Sequence, residues 1–414
     1  MPTLPLHTFE TTRDLIMAAA ATHAMPPESI PLDQALGRIL AADLSASEDL
    51  PMADNSAMDG YCLRHADAAG ARPDAPVTLP LVAGIDAGHP LETLPEGHAA
   101  YIATGGMIPA GADVVLKIED ATLTPDTGNL VVKSLPPVGT FIRRRGRDRR
   151  RGDLVLSRGE RLAPGQDQIA LGVAASLGRM AVEVARRPRV CILTSGDEVV
   201  MPFETPKPWQ VRNSNATILQ AFVRSAGGEP LDLGIVRDDP EAAIAALGEA
   251  ARLGDVIVTS GGISMGRCDP FVTALERMNA PLDVRGVLMK PGKPLTFGRI
   301  HGKPYFGLPG NQASSAVTAE LFLRPFLARL CGSLRPDHRL AMLPLTRELQ
   351  NRTGRDDFLR ARLVSTATGP AAEPLGHQDS HLLSSLLGAD LLARHPVDRP
   401  LLAAGDLVEC RFIG

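Results

Sequence analysis

Between Arg189 and Gly262 the chain passes through five alternating textures. "RVCILTSGDEVV", "NSNATILQAFVRSAGG", "EPLDLGIV", "DDPEAAIAALGEAARLG" and "DVIVTSGG" read in turn as strand, helix, strand, helix and strand. Short apolar runs separated by helical segments predict parallel strands joined by crossover helices, since parallel neighbours cannot be linked by a tight turn. Punctuation agrees: Asp239 is placed to cap a helix with Pro240 at its first position, and Ile244, Leu247 and Ala251 share one face. The other helix starts at Asn213 or Asn215 and stops at Gly227.

Around this α/β core the texture differs. "FETTRDLIMAAAATHAM" predicts an N-terminal helix capped by Thr11 or Thr12. From about Pro51 to Gly152, short apolar runs broken by Gly, Pro and Asp predict a mostly β module, and from about Leu340 a small β domain. Between them "NQASSAVTAELFLRPFLARL" is a last helix, expected to kink or end near Pro325. The 414 residues exceed what one core organises, so several domains are expected.

Bulk properties narrow the function. Hydrophobic residues make up 44% and charged residues 22%, which excludes wholesale disorder, and the formal charge of −4 offers nucleic acid no global attraction. Five scattered cysteines form no C-x-x-C pair, so neither a disulfide framework nor a zinc knuckle is indicated. No apolar run approaches the roughly 20 residues of a membrane span. A cytoplasmic protein is expected.

Ligands of open parallel sheets bind beyond the carboxyl ends of the strands. Three loops suit that place: "TSGDE" with Ser195 and Gly196, "TSGGISMG" with Gly261, Gly262 and Ser264, and "GLPGNQASS" with Pro309, Gly310, Asn311 and Ser314. Their glycines let backbone amides turn toward an oxyanion, and their serines add donors. "MKPGKP" contributes Lys290 and Lys293 on a backbone restrained by Pro291 and Pro294. Asp197, Glu198, Asp238 and Asp269 follow strands of the same sheet. Carboxylates beside a phosphate repel it unless a hard cation lies between, which implies magnesium.

Two stretches invite other readings. "GISMG" matches G-x-S-x-G, but Ser264 lies beyond two glycines rather than on a strand-to-helix elbow, and no HGGG-type segment supplies an oxyanion hole. "FIRRRGRDRRRGD" carries seven arginines without interleaved aromatics, which favours a domain-edge loop with room for an anionic ligand or partner.

Taken with "ALGRILAADL", "DNSAMDGY", "ATGGMIPAGADVV", "KPGKP" and "GHQDSH", these motifs resemble the molybdopterin molybdenumtransferase family over nearly the whole chain. The resemblance implies an α/β plus β, multi-domain fold: a central three-layer α/β domain with a mostly parallel sheet, mostly-β modules beside it and a small β-barrel-like domain at the C-terminus. The implied parts are 1–53 together with 143–185, then 54–142, 186–335 and 336–414. It further implies a homodimer, adenylylated molybdopterin and molybdate as substrates, Mg2+ as metal, and molybdopterin adenylyltransferase and downstream cofactor proteins as partners, with neither nucleic acid nor membrane involved. A carrier that keeps the fold only for binding is the rival. By motif, Ser264, Asp269, Lys290, Lys293, Ser314, Arg360 and Ser380 should line the nucleotide, metal and molybdate sites, joined by Asp59, Thr104, Glu198 and Asp238. Asp269 with Glu198 or Asp238 would direct the metal, while Lys290, Lys293 and Arg360 neutralise the anions. Asp59 and Thr104 would reach across the dimer. The chain departs from the family at Gly286, Gln312, and Arg147 and Arg149 around Asp148.

Overall fold

A computed structural model describes residues 6–86, 88–162, 167–263 and 269–413. The chain forms two compact units: Met1–Ala42, Arg158–Gly165 and Ala181–Gly414 make one, and Asp43–Ser157 with Gln166–Met180 the other.

The first unit is built on a six-stranded sheet. Its order is Glu229–Val236, Arg189–Ser195, Val256–Ser260, Lys303–Leu308, Thr296–Ile300, Leu282–Arg285. The first four strands pair in parallel and the last two pairings are antiparallel, so only Thr296–Ile300 runs against the rest and the sheet is mixed rather than uniformly parallel. Alternation along each strand divides the core into two layers. Val190, Ile192, Val256, Val258, Phe306 and Leu308 meet Leu219, Val223 and Phe326 on one face. Cys191, Leu193, Ile257 and Tyr305 meet Leu247, Phe271 and Leu275 on the other. The result is a sheet between two helical layers, as the five-part alternation requires.

Helix starts follow local chemistry. Asn213 caps Ser214–Ser225 by accepting from the Ala216 N–H, and Asp239 caps Pro240–Leu253 through Ala242, with Pro240 in the first turn. The buried residues of that second helix are Ala243, Leu247, Ala250 and Ala251, whereas Ile244 is half-buried. Two expectations are corrected. The N-terminal helix Phe9–Ala21 is capped by Thr8, whose hydroxyl accepts from the Thr11 N–H, so the cap lies three residues earlier than Thr11. The last helix neither ends nor breaks at Pro325: Gln312–Thr318 widens into a π-helical turn at Ala319–Leu323 and continues as Arg324–Leu330. The Arg324 N–H reaches the Ala319 carbonyl five residues back, and this wider bonding accommodates the proline that follows.

The C-terminal strands Leu340–Pro344, Asp356–Thr366, Gly369–Pro374, Leu391–His395 and Leu407–Phe412 form a second sheet in the same unit. Met289–Lys290 joins its edge in parallel with Asp356 and Asp357, so the segment carrying the first lysine of "KPGKP" is stitched to this sheet. An isolated bridge connects Leu345 to Ala372.

The other compact unit is mostly β, as its composition predicts. Four strands pair in the order Leu81–Ile85, Ala99–Ile102, Gly60–Leu63, Val114–Lys117, and three more in the order Val77–Leu79, Leu130–Val132, Thr122–Leu123. Tyr61 and Leu63 face one apolar cluster and Cys62 another.

Candidate functional site

The three loops predicted to bind ligand all border one cleft of about 660 Å³ in the first unit. Ser195, Gly196 and Glu198 come from the loop after Arg189–Ser195; Gly261, Gly262 and Asp269 follow Val256–Ser260; and Pro309, Gly310, Asn311 and Ser314 follow Lys303–Leu308. Asp238, Lys290, Lys293, Pro294 and Ser380 complete the predicted set that lines it. Ser264 lies outside the described residues.

Cross-links hold the loops in register. The Asn215 side-chain amide donates to Ser260 Oγ at 2.9 Å and to the Gly310 carbonyl at 2.7 Å, joining the second and third loops. Ser260 Oγ donates to the Pro309 carbonyl at 3.1 Å. The Ser314 N–H, in the first turn of the last helix, donates to the Ser380 carbonyl at 3.3 Å, which fastens the "GHQDS" segment to the cleft. Two polar atoms of the cleft wall, Ser195 Oγ and Asn215 Oδ1, are buried without a hydrogen-bond partner. Each such atom costs about 1–3 kcal/mol until something polar satisfies it.

Glycine matters here for close approach. At Gly196 a Cβ would meet the Glu198 carboxylate at 2.6 Å, so the missing side chain lets that acid fold back over its own loop. Gly262 has φ +64°, and a Cβ there would lie 2.5 Å from Ser195 Oγ and 2.9 Å from Phe271. Gly262→Ala is therefore expected to lower stability by about 1–3 kcal/mol through left-handed strain and overpacking. A denaturant midpoint unchanged from the parent would contradict that expectation. The amide of Gly261 corrects the sequence reading in one respect: its N–H donates to the Leu308 carbonyl at 3.1 Å, so it closes the turn rather than facing an anion.

Charge in the cleft is divided by sign. Lys290 is half-buried and Lys293 exposed, and neither forms an ion pair with a carboxylate among the described residues. Asp238 is held above the usual carboxylate range by partial desolvation and by the negative charges of Asp197, Glu198 and Asp269. Asp197 and Asp238 also exchange long backbone-to-carboxylate hydrogen bonds of 3.4 Å. Asp269 occupies the N-cap position of helix Pro270–Arg277. Like charges gathered this way favour a cation between them. Among the described residues no three His, Cys, Asp or Glu side chains lie close enough to hold a metal unaided. Magnesium does not require that: it keeps several waters and takes one or two carboxylates together with substrate phosphates, so these hard oxygen donors suit it.

Arg360 is not brought to the cleft. It is 1% exposed, and its guanidinium donates to the carbonyls of His377 and Asp379 at 3.2 Å each, while its backbone N–H donates to Gln378 Oε1 at 3.0 Å. Burial draws its pKa below the ordinary guanidinium value. Its place in the strand turns it inward beneath the loop that carries Ser380, where it braces that loop. The arginines that do line the cleft are Arg212 and Arg355, which no motif marked, and with Asn215 they are among the lining residues that sequence reasoning missed.

Asp59 and Thr104 belong to the other unit. There the Thr104 N–H donates to Asp59 Oδ1 at 2.6 Å and holds that carboxyl below its usual range. The arginine-rich loop lies in the same unit and is clamped by acids: Arg144 pairs with Asp54 at 2.6 Å and Arg145 with Asp49 at 2.5 Å, while the N–H of Arg151 donates to Asp49 at 2.8 Å.

Comparison with known proteins covers nearly all of the chain. Residues 7–178 match the family model of the MoeA N-terminal region (domain I and II), 191–329 that of a probable molybdopterin binding domain, and 342–412 that of the MoeA C-terminal region (domain IV). The chain is 38% identical over 412 residues to a molybdopterin molybdenumtransferase of Synechococcus elongatus, covering 97% of this chain and 98% of the relative. It is 35% identical to molybdopterin molybdenumtransferase 2 of Mycobacterium tuberculosis, covering 94% and 96%. Among solved structures, the molybdopterin biosynthesis moea protein from Pyrococcus horikosii superposes with a TM-score of 0.84 at 30% identity, covering 99% of each chain.

Proposed function

This chain belongs to the molybdopterin molybdenumtransferase family, and from that premise we propose that the cleft of its α/β unit is where molybdenum is inserted into molybdopterin. The protein is a transferase of molybdenum cofactor synthesis. One observation carries the assignment to the cleft: two lysines that form no ion pair among the described residues share it with three carboxylates, Glu198, Asp238 and Asp269. Such a surface suits a substrate that is itself anionic and arrives with a cation.

The substrates in this reading are molybdate and adenylylated molybdopterin. Lys290 and Lys293 bind phosphate and molybdate oxygens as point charges. The hydroxyls of Ser195 and Ser314 donate to the same oxygens, and Asn215 keeps the second and third loops at a fixed spacing around them. Arg355 adds a third positive charge to the lining. Asp269, with Glu198 or Asp238, would hold magnesium, and these carboxylates orient the water that attacks the adenylate phosphorus. The anhydride P–O bond to the molybdopterin phosphate breaks, the water oxygen stays on AMP, and the dithiol of the released molybdopterin takes up molybdate as one molybdate oxygen leaves as water with the two thiol protons. Magnesium when bound offsets the charge that builds on the phosphate oxygens. Arg360 keeps Ser380 in place from below.

The remaining assignments complete the proposal. The four parts 1–53 with 143–185, 54–142, 186–335 and 336–414 act as structural domains, and the C-terminal sheet closes into a small barrel, which the Leu345 to Ala372 bridge supports. The protein works as a cytoplasmic homodimer, in which Asp59 and Thr104 of one subunit serve the cleft of the other. It takes its substrate from molybdopterin adenylyltransferase and delivers product to cofactor-using enzymes. Among the described residues, no helix is long and apolar enough to cross a membrane.

The test is direct. Purified protein given adenylylated molybdopterin, molybdate and magnesium is expected to release AMP together with active cofactor. Substrate bound without AMP release above a protein-free control would favour a carrier.

A further inference from the structure

The chain contains one Trp, three Tyr and eleven Phe, and only two of these aromatics are exposed: Phe203 at 84% and Trp209 at 61%. Both stand on the same loop, "MPFETPKPWQ", residues 201–210. Scattered surface apolar residues need no explanation, but placing both exposed aromatic side chains of a chain within ten residues does.

The loop is built to hold its shape. Three prolines, Pro202, Pro206 and Pro208, limit its backbone. Glu204 Oε1 accepts from the Met201 N–H at 2.9 Å, and Gln210 Oε1 accepts from the Lys207 N–H at 3.1 Å. Arg212 Nε donates to the carbonyls of Pro202 and Glu204 at 3.1 and 3.2 Å. Arg212 also lines the cleft, as do Val199 and Val211 on the two short strands that carry the loop. The base of the loop is therefore tied to residues of the cleft wall, while the indole itself stands outside the lining. Lys207 Nζ sits over one face of the Trp209 ring, 5.6 Å from its centroid, so a ligand would stack on the opposite face with positive charge close by.

We propose that loop 201–210 is an aromatic rim of the cleft, on which Trp209 stacks against the flat heterocycle of a substrate whose phosphates are held inside. A rigid indole beside an ammonium group recognises an anionic aromatic ligand of the nucleotide class: the ring supplies a π-face and the cation meets the charge. Stacking of this kind contributes about 1–3 kcal/mol per base and is indifferent to base identity. This rests on the reading of the cleft as the phosphate-binding site, and the test separates the two.

Because Trp209 is the only tryptophan, intrinsic indole fluorescence reports on this loop alone. AMP is titrated into the full-length protein with magnesium, pyrophosphate is the control with charge but no ring, and calorimetry measures affinity independently. The rim predicts saturable quenching by AMP at the calorimetric affinity, a much smaller change with pyrophosphate, and an about 5- to 160-fold weaker AMP affinity in Trp209→Ala that Trp209→Phe partly restores. Pyrophosphate affinity is expected to be equal in all three proteins. AMP binding by calorimetry with unmoved fluorescence and equal affinity in Trp209→Ala would overturn the rim and leave the cleft standing. Failure of both AMP and pyrophosphate to bind would overturn both.

Discussion

Lys290→Met is expected to lower kcat/KM for molybdenum insertion by at least 100-fold while the protein folds normally. Methionine keeps the apolar stem of the lysine and removes only the ammonium group, so packing against the cleft wall survives. The backbone of Met289–Lys290 is paired with Asp356 and Asp357 of the C-terminal sheet and does not depend on the side chain. The charge is what the site loses. A charge-assisted contact to a phosphate or molybdate oxygen is worth about 3 kcal/mol or more when its partner would otherwise be left unpaired, which converts to about two orders of magnitude in rate. Asp357 makes the loss specific. It is buried, its carboxyl is pushed up by desolvation, and the positive charge of Lys290 is among the influences that pull it back down. Removing the ammonium should therefore raise the Asp357 pKa further. Steady-state kinetics beside circular dichroism checks the prediction, and wild-type kcat/KM in a folded Lys290→Met would remove this lysine from the mechanism.

Asp269→Asn is expected to have a comparable effect for a different reason. Asn and Asp cap helices about equally well, and residue 269 precedes Pro270 at the start of Pro270–Arg277, so the substitution preserves the local fold. It removes a negative charge from a group in which Asp238 already senses Glu198 and Asp269. Magnesium prefers carboxylate to amide oxygen, so the variant should need far more magnesium for half-maximal rate and lose about 100-fold or more in kcat at saturating substrate. It should also let the pKa of Asp238 fall, because one of the charges raising it is gone. Titration of the rate against magnesium decides the matter. A wild-type magnesium profile would exclude Asp269 as a metal ligand.

Much of this cleft was legible because its chemistry is local. A glycine-rich loop after an apolar strand, or a Lys-Pro-Gly-Lys-Pro run, carries its conformational consequences within five or six residues, and the parallel-sheet rule places such loops together at one rim. Helix caps at Asn213 and Asp239 were equally local. What escaped depends on distant partners. Asn215 reads as a possible cap, yet its function is to join Ser260 to Gly310, residues 45 and 95 positions away. Arg355 stands before a strand whose pairing with Met289–Lys290 is invisible to any periodicity. Arg360 is a cation within a motif, yet its strand position buries it beneath the loop that carries Ser380, which its sequence neighbourhood does not reveal. The π-helical turn before Pro325 likewise has no sequence signature apart from the proline it accommodates. Ion-pairing of the arginine-rich loop with Asp49 and Asp54 answers part of the question its charge raised, since those acids lie some ninety residues earlier in the chain.

In the proposed mechanism one cleft gathers phosphate, molybdate and a metal by dividing its charges between lysines and carboxylates. A crystal of this protein soaked with AMP, molybdate and magnesium measures that most directly. Phosphate and molybdate density is expected within hydrogen-bonding distance of Lys290 or Lys293, with a magnesium ion in contact with Asp269 and either Glu198 or Asp238. Ordered AMP and molybdate bound elsewhere on the chain, with those side chains contacting neither, would contradict it.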